Sequence, residues 1–183
     1  MKRVAPSRVY RLLYPAVPVI VAASYEGRVS AMPAVSVISL SNEPPLIGIS
    51  SSPSHATYGT IVRAKSLSVS WLDREYTGTV EALGSTSGAE VGDKLEAAGL
   101  HHSLSNPLKV PVIREASAYL TCTLAGVQRF GDHDLLVAEV REARAIADFG
   151  EYWAFGLYHP ILYSGMGRRP PPPSGSDGRV RRS

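Results

Sequence analysis

The chain has 183 residues, enough for one domain with a sizeable core and cramped for two. Its 44% apolar content is ordinary for a globular chain, and the longest apolar run, Val17 to Ala23, is far too short to span a bilayer as a helix. The net charge of +3 sits at the ends: four positive residues lie within residues 1–11, and five arginines face Asp177 from Arg168 onward. The body from Leu12 to Gly167 holds ten basic and fifteen acidic residues with no basic run, which argues against a nucleic-acid-binding body.

Lys2, Arg3, Arg8 and Arg11 are followed by Pro15 and Pro18 with no small-residue cleavage pattern, so a signal peptide is not expected. Cys122 is the sole cysteine, which rules out an internal disulfide and a cysteine metal cluster and suits a reducing cytoplasm. Its neighbours Tyr119, Leu120 and Leu124 predict a buried strand position.

In chain order, VPVIVAAS from Val17 to Ser24 is rich in β-branched residues, Glu26-Gly27 makes a turn, and Arg28 to Ser39 resumes with Val35, Val37 and Ile38, which predicts a hairpin. Asn42-Glu43-Pro44-Pro45 breaks the chain before a strand over Leu46 to Ser50. Pro53 opens a loop, and Ser54 is the expected N-cap of a short helix from His55 to Ala64, with a strand returning over Ser66 to Trp71. Glu75 to Leu83 and Val91 to Ala98 have helical composition. Two long strands, Ala116 to Phe130 and His133 to Ala145, join through Gly131-Asp132, a length that suits a bent antiparallel pair in a barrel. RRPPPPSGSDGRVRRS, residues 168–183, lacks the apolar content to repay ordering, so a disordered Pro/Arg-rich tail is expected after a domain over residues 1–167. With no βαβ alternation and no repeat, the pattern predicts a mainly β (α+β) domain or a closed β-barrel.

Three stretches carry chemistry. SSSPSHATY, from Ser50 to Tyr58, brings hydroxyls and a helix start together after a strand, an arrangement suited to phosphate, although a Ser-rich loop is more often only a loop. GSTSGAEVGDK, from Gly84 to Lys94, lacks the Gly-Lys-Ser/Thr ending of a P-loop, and Lys94 alone reads as solvated. GDHDLLVAEV starts a strand at His133, which places an imidazole at a barrel rim. His101-His102, adjacent on a segment read as irregular and without an acidic or cysteine ligand set, are expected to be solvated, and no metal is expected. Trp153, Phe155, Tyr158 and Tyr163 are expected in the core or at an interface.

Taken together, Tyr14-Pro15, AMPAVSVISL, EPPLIGIS, SPSHATY, GDK and GDH occur in an order and spacing that resemble the flavin reductase-like family of FMN-binding split barrels, over roughly Tyr10 to Tyr163. That resemblance implies a split barrel of about six antiparallel strands with a few short helices, a homodimer, and a flavin near the subunit interface. It implies FMN, with FAD an alternative, and NAD(P)H as a transient substrate folded over the flavin, which is why no GxGxxG fingerprint is needed. Carried over residue by residue, Ala31, Met32, Pro33, Ala34, Val35 and Ser36 resemble the segment whose main chain meets the ring edge. Ser52, Ser54, His55 and Thr57 resemble the phosphate loop, and Lys94 resembles the lysine that reaches the same phosphate. His55 stands where many relatives have arginine, which implies weaker or pH-dependent phosphate affinity, and Ser30 stands where relatives often have asparagine. His133 resembles the histidine that orients the nicotinamide. Tyr163 is another residue the resemblance brings towards the flavin.

The resemblance implies an NAD(P)H-dependent flavin reductase that passes electrons to a second flavin, a monooxygenase partner or another acceptor. The alternatives are a flavoredoxin-like carrier that NAD(P)H does not reduce directly, and a ligand-free structural barrel.

Overall fold

The computed structural model describes residues 1–85, 92–147 and 149–165. The Pro/Arg-rich tail at residues 168–183 lies outside them.

Nine strands form. They are β1 (Val19–Tyr25), β2 (Arg28–Ala34), β3 (Val37–Asn42), β4 (Pro45–Ser51), β5 (Ser66–Trp71), β6 (His102–Leu104), β7 (Pro111–Ile113), β8 (Ala118–Phe130) and β9 (His133–Ala145). The described residues also form three α-helices, α1 (Ala56–Ala64), α2 (Thr77–Ser85) and α3 (Lys94–Ala97), a 3₁₀ helix before β1 at Pro6–Leu13 and a 3₁₀ turn leading into α2 at Arg74–Tyr76. Seven strands make one antiparallel sheet in the order β2-β1-β5-β8-β9-β4-β3, and β6-β7 form a separate hairpin. This is the expected split barrel, with one more strand in its sheet than the six anticipated. The helix expected over Val91 to Ala98 is the single turn α3, and the residues 86–91 before it are outside the described set.

The sheet curls because both its margins face one core. Val19, Val21, Ile47, Ile49, Ile61, Leu67, Val69, Leu136 and Ala138 pack together inside it, and Met32, Ala34 and Val37 from the two edges pack against that cluster. The other face of β1 and β2 packs under α2, α3 and β7, where Ile20, Ala22, Ala31, Leu83, Leu95 and Ile113 meet. Strand β1 is therefore buried on both faces, so its sequence is a continuous apolar run rather than an alternation. At roughly 25 cal/mol per Å² of apolar surface, burial of such side chains dominates the stability of the barrel.

Two turns fix the register around the site. Tyr25 pairs with Arg28 across Glu26-Gly27, both residues at positive φ, the two-residue turn whose twist matches the flanking strands. Phe130 pairs with His133 across Gly131-Asp132, with Gly131 at φ 65°. The segment expected as one strand from Arg28 to Ser39 breaks at Val35-Ser36. There the Ser36 carbonyl accepts from Ser50 N–H at 3.0 Å, and the chain passes from β2 at one sheet edge to β3 at the other.

Candidate functional site

Strand β2 is a sheet edge, and the site is built along it. Apart from a parallel bridge between Val29 and Asp93, β2 pairs only with β1 among the described residues, so the outer main-chain edge from Ser30 to Ala34 has no ladder partner. Pro33 fits such an edge because it has no N–H to offer a ladder. Ala31 is fully buried, Met32, Pro33, Ala34 and Val35 are half-buried, and Ser36 is exposed. A Cβ at Gly84 would come within 3.1 Å of Pro33 Cγ, so glycine there lets α2 lie close against this strand.

On one flank of β2 lies the hydroxyl loop between β4 and α1. Ser30 and Thr57 share a buried hydrogen bond at 2.9 Å, which ties β2 to the first turn of α1. Ser51 Oγ lies 3.2 Å from His55 Nδ1 and reaches Met32 Sδ at 4.0 Å. Ser52 and Ser54 hydroxyls are 2.9 Å apart, and Ser54 N–H donates to Ser52 Oγ at 3.3 Å. Ser54 is not the helix cap as expected. The cap position is His55, extended at φ −72° and ψ 132°, and its side chain makes no capping bond because it is engaged with Ser51.

On the other flank stands Lys94, and it is not solvated as its isolated position in the sequence suggests. It is 6% exposed, its ammonium has no hydrogen-bond or ion-pair partner among the described residues, and burial pushes its pKa down. The cause is local. Val29 N–H donates to Gly92 O at 3.0 Å, and Asp93 Oδ1 accepts from Leu95 N–H and Glu96 N–H, each at 3.0 Å, which caps the single turn of α3 against β2. Asp93 Oδ2 in turn lies 2.7 Å from His102 Nε2. His102 is thus a correction: its side chain is 10% exposed, on β6 rather than on an irregular segment. Asp93, Glu96 and His102 bring potential ligand atoms within 4.8 Å of one another, but the geometry shows Asp93 committed to capping and to His102.

Strand β9 starts at the same end of the sheet. Ser51 is paired with Asp134, so His133 lies next to the end of β4 and the hydroxyl loop. The His133 side chain is 46% exposed, with Nδ1 3.0 Å from Asp132 Oδ1, which leaves Nε2 without a partner among the described residues. Tyr58 donates to Asp134 Oδ2 at 2.5 Å, a bond that raises the tyrosine pKa, while Asp134 Oδ1 is buried without a partner. Sequence reasoning missed this pair. The signal was the strand period, which puts Asp134 on the inward side with Leu136 and Ala138.

The C-terminal aromatics divide. Tyr158 is buried 4.2 Å from Trp153 with its pKa pushed up to about 12 by burial, whereas Phe155 is 70% exposed. Tyr163 packs edge-on against Tyr14 at 5.2 Å, and the Ala16–Tyr163 bridge holds it there.

The sequence matches the model of the flavin reductase like domain over residues 10–168. A crystal structure of an FMN-binding protein from Thermus thermophilus with bound 1-cyclohex-2-enone is 32% identical, with a TM-score of 0.77 over 92% of each chain. An uncharacterised protein of Aeropyrum pernix is 32% identical over 94% of this chain, which spans 66% of that relative's length. The reductase component of a 4-nitrophenol 4-monooxygenase/4-nitrocatechol 2-monooxygenase of Rhodococcus opacus is 29% identical, over 69% of this chain and 64% of its own.

Proposed function

The chain belongs to the flavin reductase-like family, and from that premise we propose that it binds FMN along β2 and uses it as an NAD(P)H-dependent flavin reductase. The observation that carries the reading is Lys94, a side chain only 6% exposed whose ammonium has no partner among the described residues, beside a strand edge unpaired among them. A buried charge is costly unless an opposite charge meets it, and a phosphate is the ligand such a position favours. Ser52, Ser54, His55 and Thr57 would supply hydroxyl, imidazole and main-chain donors to the same phosphate. Ala31 to Ser36 would present main-chain groups to a flat ring edge, with Pro33 and the small residues permitting close approach.

Bound flavin supplies a ring that accepts a hydride from a nicotinamide. The chain's part is then positioning and exclusion of water, with no general base required. His133, steered by Asp132, would orient the nicotinamide at the open rim, and the half-buried Met32 would give the ring a soft contact.

A homodimer is part of the reading. Ile38 pairs with Gly48, and a Cβ at Gly48 would meet Leu135 and Leu40, so these residues share the outer face of β3, β4 and β9. With Phe130 beside His133 they make an apolar patch in which Ile38 and Phe130 are each 57% exposed. A monooxygenase or another electron acceptor would take the reducing equivalents, as the Rhodococcus relative's name suggests for that protein. No helix among the described residues is long and apolar enough to cross a membrane.

The test is a spectral titration with FMN followed by anaerobic NADH or NADPH. Retention at micromolar FMN and bleaching by a nicotinamide are expected, and failure to retain flavin refutes the reading. The carrier alternative is favoured if flavin binds but neither nicotinamide bleaches it. His133→Ala is expected to slow direct reduction roughly tenfold to a hundredfold with the flavin Kd unchanged; an unchanged rate removes the role given to His133.

A further inference from the structure

The 3₁₀ helix at Pro6–Leu13 stands apart from both cores, because every one of its residues is exposed although Val9, Tyr10, Leu12 and Leu13 are apolar or aromatic. At three residues per turn, side chains three apart eclipse one another and form ridges. Val9 and Leu12 make one ridge, Tyr10 and Leu13 a second, and Arg8 and Arg11 the third. Leu12 is 66% exposed and Leu13 77%. The helix is therefore amphipathic, with an apolar side that the described residues leave uncovered.

A helix this short with nothing packed over it is marginal in water, so its order comes from its ends or from a surface that covers it. Its C-terminal end is tied down. Arg11 Nη1 donates to the Gly165 carbonyl at 2.8 Å, Ala16 and Tyr163 exchange main-chain hydrogen bonds of 3.1 and 2.9 Å, and the Tyr14 ring meets that of Tyr163 edge-on. A Cβ at Gly165 would come within 2.5 Å of the Tyr14 ring, so glycine is what lets the two segments close together. The N-terminal arm and the segment ending at Gly165 share one point of attachment to the barrel.

That juxtaposition gathers charge. Residues 1–25 hold Lys2, Arg3, Arg8 and Arg11 and no acidic residue, and Arg168 follows three positions after Gly165 in a stretch with five arginines against one aspartate. The body between them, residues 12–167, has fifteen acidic residues against ten basic ones. One pole of the molecule thus combines uncovered leucines with basic residues from two segments. An anionic bilayer surface answers both features, since an interfacial helix sinks its apolar side to the acyl boundary while Lys and Arg meet the lipid phosphates. Neither feature suffices alone, because the apolar side is short and exposed charges are screened by salt. Nucleic acid would use the charge and leave Leu12 and Leu13 in water.

We propose that this pole docks the protein reversibly on an anionic lipid surface, with Leu12 and Leu13 at the acyl boundary and Lys2, Arg3 and Arg8 among the headgroups. The docking surface shares no residue with the proposed flavin site, so it stands or falls separately from that reading.

The full chain is sedimented with vesicles of phosphatidylcholine alone and of phosphatidylcholine and phosphatidylserine at roughly 7:3. The same assay follows on Leu12→Ser/Leu13→Ser and on Lys2→Ser/Arg3→Ser/Arg8→Ser, all exposed positions, with folding checked by melting and by an FMN Kd within twofold of the parent's. Binding to the serine-lipid vesicles is expected at least tenfold tighter than to phosphatidylcholine alone, and it should weaken as salt rises. The leucine variant is expected to lose tenfold or more, and the basic variant about a hundredfold at roughly fivefold per charge. The proposal is overturned if the parent does not sediment with serine-lipid vesicles at millimolar lipid, or if either folded variant loses less than tenfold. It is equally overturned if the leucine variant halves the parent's mass in light scattering, because a second copy then covers the face.

Discussion

The two flanks of β2 reach the same end with opposite chemistry. On the flank of the hydroxyl loop, Ser51, Ser52, Ser54, His55 and Thr57 bond to one another and to Ser30 of β2, so the polar groups are paired in the absence of ligand and can exchange partners cheaply. On the lysine flank, Lys94 has no partner among the described residues to exchange, and its position is held from behind by Asp93 and His102. The first flank offers shape and hydrogen bonds. The second carries an electrostatic cost that an anion would remove, so most of the affinity for a phosphate should reside there.

The sharpest way to break this comparison is Lys94→Met. Loss of a hydrogen bond to a charged group, worth about 1.5–3 kcal/mol, should raise the FMN Kd roughly 10- to 100-fold while riboflavin, which lacks the phosphate, binds as before. Equal losses for both ligands would place the lysine elsewhere. The pH dependence has a definite sign. Burial lowers the Lys94 pKa from 10.5, so FMN affinity is full between about pH 6, where a phosphate becomes a dianion, and that lowered pKa, and falls as pH rises through it. In the flavin-free protein the same shift acts oppositely on stability, because the unfolded chain binds the proton more tightly and folding gains as pH rises through the window. The methionine variant should show neither effect.

A smaller effect belongs to the partner of Asp134. Tyr58→Phe leaves a buried carboxylate oxygen without its donor, beside a second oxygen that already lacks one, and should cost about 1–3 kcal/mol. In a chain of this size that lowers Tm by roughly 2–4 °C per kcal/mol, readable by calorimetry. Asp93→Ala should cost about 1 kcal/mol through loss of the cap, and should also weaken FMN more than riboflavin, because Lys94 is no longer held against β2. A loss of stability with no change in the ratio of FMN to riboflavin affinity would separate the cap from the lysine. The smallest effect is at Cys122. It is fully buried with its pKa pushed up to about 12, so it should resist a disulfide reagent in the folded state and react only on denaturation.

Much of the barrel was legible because its signals are local. The hairpin at Glu26-Gly27 and the strand from His133 to Ala145 follow from turn residues and period alone, and the structure keeps both. The break at Val35-Ser36 was not legible, since a strand crossing from one edge of a curled sheet to the other looks like a single β-branched run until the sheet order is known. The hydroxyl loop was visible as a cluster of side chains. The lysine flank and the Tyr58–Asp134 pair were not, because they depend on contacts between residues far apart in sequence: the Val29–Asp93 bridge spans 64 positions and the Tyr58–Asp134 bond spans 76. His102 was misread for the same reason, as its burial depends on β6 pairing with β7 and on Asp93 reaching it.

The most direct measurement is a crystal structure of the full chain grown with saturating FMN. The account predicts density for the ring along Ala31 to Ser36 and for the phosphate between the Ser52–Thr57 loop and Lys94. Density for the cofactor at any other place, or none at saturation, would contradict it.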